Sequence, residues 1–146
     1  MAFWKKILGT EDARPVDYYT EGTDLLDAGK FHEALTSFRL ALKESPGDAV
    51  VLQQIAICYT RIGMVDEAAK TYRHVLQKDP TAAGAHYGLA FILLRREQRA
   101  ESMSHLEAFL THAPQGRDAA DHVEHARWTL AQLKEQNHSG GSDVGF

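Results

Sequence analysis

The chain is 146 residues long, 44% apolar and 25% charged, with a net charge of −4. These values describe one ordinary globular domain with short tails, and they give no support to a nucleic-acid partner, which calls for a clustered basic surface. The single cysteine, Cys58, excludes an intrachain disulfide framework. No apolar run nears the ~20 residues that span a bilayer, so a cytoplasmic protein is expected.

Residues 1–14 stand apart as a short amphipathic segment. Its apolar core is too short for a secretory signal. At helical spacing Phe3, Trp4, Ile7 and Leu8 share one face, with Lys5 and Lys6 beside it. Such a face suits docking on protein, and also weak contact with an anionic membrane. So short a segment forms no stable helix by itself.

From Pro15 the chain falls into three units, 15–48, 49–82 and 83–116. Pro46, Pro80 and Pro114 close them. Gly22, Ala56 and Ala90 hold a small column, and Ala34, Ala68 and Ser102 hold a second. Leu25, Tyr59 and Leu93 are large, as are Phe38, Tyr72 and Leu106. Within a unit, apolar residues recur at helical spacing, as in Ala34, Leu35, Phe38, Ala41 and Leu42. Small residues belong where two helix backbones approach, and large ones fill the space between helices. Gly29 and Gly63 end first helices in the left-handed conformation that suits glycine. The prolines follow second helices, which they cannot continue. Asp48 and Asp118 are placed to cap the helices that come next.

The period of 34 and its columns resemble the tetratricopeptide repeat, a helix–turn–helix unit. The resemblance implies an all-α fold: an α-solenoid of three such units plus a C-terminal capping helix over 117–136. Three departures stand out. Glu21 replaces a usual Leu, His86 a usual apolar residue, and Glu97 the turn glycine. The last change predicts a differently shaped third turn or a longer helix before it, because a left-handed non-glycine residue costs roughly 1–2 kcal/mol.

In this family the first helices of successive units line a concave groove that holds partners. Carried over by position, the groove candidates are Tyr19, Thr20, Thr23 and Leu26 in the first unit. The second unit gives Gln53, Gln54, Ile57 and Arg61, and the third Tyr87, Gly88, Phe91, Leu94 and Arg95. Aromatic and Arg side chains are what interface hot spots favour. Gly84 and Gly88 are expected either to leave a strip where a ligand backbone comes close or to relieve packing. One subclass grips the free C-terminal carboxylate of chaperones with Lys and Asn. Its positions here hold Tyr19, Thr23, Gln54, Gly84 and Gly88, with no lysine. A carboxylate has little to pair with there, so chaperone tails are expected not to bind.

Beyond the units, Val123, Ala126, Leu130 and Leu133 form the stripe of the capping helix. His122 and His125 lie three apart on it, and each has an aspartate four residues earlier, Asp118 and Asp121. Ordinary ion pairs account for this spacing, and no complete metal ligand set is evident. Residues 137–146 are Gly/Ser-rich and read as a disordered tail. Arg95, Arg96 and Arg99 read as a solvated basic face or a contact for an acidic partner, and Cys58 as a small core residue.

No phosphate loop, nucleophile elbow or clustered ligand set is present in the sequence. The expectation is a non-catalytic scaffold or adaptor of bacterial type, needing no cofactor, whose partner is another protein held as a peptide or helix in the groove. The alternative is a peripheral membrane adaptor that uses Phe3 to Leu8. Exposed stack ends also suit a homo-oligomer, with the N-terminal segment of one chain filling the groove of another.

Overall fold

The computed structural model describes residues 16–142, with side chains to Ser139. Among the described residues there are seven helices and no strand. They are α1 (Tyr18–Asp27), α2 (Phe31–Glu44), α3 (Ala49–Ile62), α4 (Val65–Lys78), α5 (Ala83–Arg95), α6 (Arg99–Thr111) and α7 (Arg117–Ser142). Each helix packs on the next, and α1, α3 and α5 also touch one another in turn. This is an α-solenoid of helical hairpins, with α1, α3 and α5 on the inner side.

The column residues make the nesting close. Ala34, Ala56, Ala68, Ala90 and Ser102 have no exposed surface. A β-carbon on Gly22 would stand 2.6 Å from Cε1 of Phe38, so the ring on α2 uses the space that glycine leaves on α1. Ser102 meets its burial by donating its hydroxyl to the Ala90 carbonyl at 2.8 Å, across the α5–α6 contact. The buried apolar residues form three successive sets. The first centres on Phe38, Val51 and Ile55, the second on Tyr72, Leu89 and Leu93, and the third on Leu106, Phe109 and Leu130. Each set takes side chains from consecutive hairpins, so no hairpin has a core of its own.

The inner-to-outer turns repeat almost atom for atom. The amides of Lys30, Met64 and Gln98 donate to Leu25, Tyr59 and Leu93 at 2.8, 2.8 and 2.9 Å. The residue before each donor is left-handed: Gly29 at φ +76°, Gly63 at +95° and Glu97 at +60°. The expectation of a different third turn is therefore corrected. Glu97 adopts the glycine conformation, which lets the Gln98 amide close the turn on Leu93 while α5 and α6 pack against each other.

Caps vary more. Asp17 accepts from the Thr20 amide at 3.1 Å, and Asp48 from the Val50 amide at 2.9 Å. Asp118 is not the cap expected of it. Helix α7 begins at Arg117, so Asp118 lies in the first turn, where a carboxylate still favours the positive helix end. The same helix runs to Ser142 and takes in residues 137–142, which were expected to be disordered.

Candidate functional site

Helix α7 begins 34 residues after α5, as α5 begins 34 after α3. It therefore repeats the placement of an inner helix, and the inner positions carry on into it. Ile57, Phe91 and His125 occupy one column, Thr60, Leu94 and Trp128 a second, and Arg61, Arg95 and Thr129 a third. Together these nine residues line one cavity of about 1070 Å³ on the inner side of the stack.

Rings close one end of this groove. The planes of Phe91 and His125 lie 5° apart with centroids 4.8 Å apart. Tyr87 meets Phe91 at 4.8 Å, Phe109 at 5.0 Å and the edge of His122 at 5.1 Å. The Tyr87 hydroxyl lies 3.0 Å from Nδ1 of His125, and burial raises its pKa above the ordinary 10.0. Such tilted and stacked pairs add about 0.5–1.5 kcal/mol each beyond the area they bury. Those of Tyr87 and Phe91 with His122 and His125 join α5 to α7. Trp128 projects beyond them, 63% exposed.

Of the residues expected in the groove, Gln53, Ile57, Arg61, Tyr87, Phe91, Leu94 and Arg95 line this cavity together. Tyr19, Thr23 and Gln54 do not. Tyr19 packs on Phe38 at 5.8 Å and its hydroxyl accepts from Gln54 Nε2 at 3.4 Å. The Thr23 hydroxyl donates to the Thr20 carbonyl at 2.8 Å. The open strip over Gly84 and Gly88 is corrected as well. A β-carbon at Gly84 would meet the Gln53 amide nitrogen at 2.3 Å, and one at Gly88 the Tyr72 ring at 2.4 Å. Both glycines make room for the protein's own side chains. The arginine cluster is split: Arg95 lines the cavity, whereas Arg96 pairs with Asp66 on α4.

His122, His125, Trp128 and Thr129 also line the cavity, though reading α7 as a cap alone missed them. Extending the 34-residue columns one step finds all four. The two histidines meet the Tyr87 ring rather than pairing with Asp118 and Asp121. Among the described residues no group of three His, Cys, Asp or Glu could hold a metal ion, and no helix is long and apolar enough to cross a membrane. Cys58 is fully buried, and that burial pushes its thiol to about 11, away from nucleophilic use. Phe3, Trp4, Ile7 and Leu8 lie outside the described residues.

A family model for the tetratricopeptide repeat matches residues 25–74 and 63–122. The chain belongs to that family. It is similar to the Hsp70-Hsp90 organizing protein of Triticum aestivum, 23% identical over 117 residues, which are 80% of this chain and 20% of that protein. It thus spans about a fifth of that relative's length. Its fold is similar to the type III secretion chaperone SycD of Yersinia enterocolitica, solved in complex with a peptide of the translocator YopD. There the TM-score is 0.74 at 18% identity, covering 82% of this chain and 92% of that one. It is also similar to the first tetratricopeptide domain of Spaghetti (RPAP3) bound to the HSP90 peptide SRMEEVD. That match has a TM-score of 0.65 at 17% identity and covers 78% of this chain and 90% of that one.

Proposed function

We propose that the chain is a non-catalytic scaffold that holds a segment of another protein in the groove lined by α3, α5 and α7. The observation that carries this reading is the arrangement of Tyr87, Phe91, Leu94 and Trp128. They form an apolar, aromatic wall on an open inner surface, and Trp128 is left with most of its indole in solvent. A large ring displayed beside a concave apolar surface is what an interface anchor needs, and what a self-contained core avoids. The likeness to SycD, solved with a peptide of YopD, supports a peptide ligand on this fold. The membrane-adaptor reading rests on Phe3 to Leu8 alone, which lie outside the described residues.

A pull-down from the source cell tests the proposal. Wild type is compared with a variant carrying Tyr87→Ala and Phe91→Ala, both checked for helix content. One protein retained by wild type and lost from the variant is the expected result. A partner set that is identical for both would refute the groove as the binding site.

A further inference from the structure

The whole chain is acidic, at −4, yet the ionised residues lining the groove are Arg61, Arg95, Arg117 and Asp118. The groove is a cationic island on an acidic protein. Arg61 and Arg95 stand 34 residues apart, so they take the same place on neighbouring inner helices and share one edge of the groove. Among the described residues no carboxylate pairs with either one. Arg61 lies over the Phe31 ring at 4.7 Å, and Arg95 is exposed. Arg96, the next residue, shows the alternative, since its charge is met by Asp66. The two groove arginines thus stand at the mouth of an apolar site with no carboxylate partner among the described residues.

Resting on the groove as the binding site, we propose that its ligand is an internal protein segment. It carries a large apolar side chain for the Phe91, Leu94 and Trp128 wall and carboxylates for Arg61 and Arg95. Neighbouring packed helices lie roughly 10 Å apart, and an extended strand rises about 3.3 Å per residue. Two acidic residues about three apart in an extended segment therefore reach both guanidiniums, each as a charge-assisted pair. Recognition runs through side chains. The chain's own Phe3 to Leu8 stretch carries Lys5 and Lys6 and no carboxylate.

The test is selection from a random dodecamer library displayed at internal positions of a carrier protein. The full chain and an Arg95→Glu variant serve as targets. Arg95 makes no contact that the fold needs, and unchanged helix content and Tm check this. The expected result is selected peptides enriched in Asp or Glu near Leu, Phe or Trp. Their affinity for Arg95→Glu should be about tenfold weaker, and it should fall as salt is raised. Binders that compete at the groove but show no acidic bias, or that bind Arg95→Glu equally well, overturn the inference and leave the groove standing. A library that yields no binder sensitive to Tyr87→Ala with Phe91→Ala overturns both.

Discussion

The phenol ring of Tyr72 on α4 lies directly over Gly88 on α5, where a β-carbon would stand 2.4 Å from Cζ. Tyr72 is 3% exposed, and burial raises its hydroxyl pKa. The ring is hemmed in and has little room to give. Gly88→Ala should therefore cost about 1–3 kcal/mol through overpacking. Urea unfolding measures it, and a midpoint equal to wild type would show that the ring moves aside freely.

Glu97 offers the opposite sign. It holds φ +60° in a turn whose two counterparts are glycines. Glu97→Gly removes a strain of roughly 1–2 kcal/mol but adds unfolded-state entropy that offsets about half of it. A net gain of about 0.5–1 kcal/mol is expected. Differential scanning calorimetry decides the matter: a lower Tm would mean that the glutamate side chain contributes more than its backbone loses.

Acid should loosen the joint between the second and third units. The Pro80 carbonyl can only accept, so His86 Nε2 donates to it at 2.7 Å. The other nitrogen of His86 then accepts from His105 Nδ1 at 2.9 Å. His105 Nε2 faces Glu101 at 3.8 Å, and Glu101 is paired with Arg73 at 2.7 Å. Burial first, and the His86 charge second, hold the His105 pKa below the ordinary 6.5. Unfolded His105 takes its proton near 6.5 and folded His105 resists it. Stability is therefore full above that value and is lost as pH falls through it toward the folded pKa, where the loss levels off. The carboxylates with lowered pKa, Asp17, Asp79 and Glu101, act only in stronger acid. Tm should drop between about pH 7 and pH 5, more steeply in wild type than in His105→Gln. Parallel profiles would remove His105 from the account.

A free C-terminal carboxylate should not be gripped. The positions that would supply cations hold Tyr19, Thr23, Gln54, Gly84 and Gly88. Tyr19 and Gln54 are engaged with each other, and the two glycines are covered by Gln53 and Tyr72. The peptide SRMEEVD, bound by one protein of similar fold, brings only Met and Val as apolar side chains, small beside the ring wall here. Calorimetry should find no micromolar binding of this peptide, and no difference when its C-terminus is amidated. Micromolar binding that amidation abolishes would contradict this.

Much of the architecture was legible because packing repeats. The columns at Ala34, Ala68 and Ser102 declared where helices meet, and Pro46, Pro80 and Pro114 where they stop. What stayed hidden depended on contacts between columns. Glu97 takes a glycine conformation in the turn that closes the packed α5–α6 hairpin, and no local propensity reports that. Gly88 suits either an open strip or a packing relief by sequence, and only the position of Tyr72 on the preceding helix decides for packing. His122, His125 and Trp128 were one period away from residues already named, yet the stripe Val123, Ala126, Leu130 and Leu133 drew the reading toward a cap. Tyr19 and Thr23 sit in correct inner columns, but the cavity does not extend to the first unit; Gln54, in the second unit, is engaged with Tyr19 instead.

The most direct test of the groove as the binding site is the affinity of Trp128→Ala for the partner that wild type captures. Trp128 is 63% exposed, so its truncation should leave folding stability nearly unchanged. If the inner wall is the site, the dissociation constant measured by calorimetry should rise about tenfold or more. An unchanged constant, at unchanged stability, would place the partner on another face of the stack.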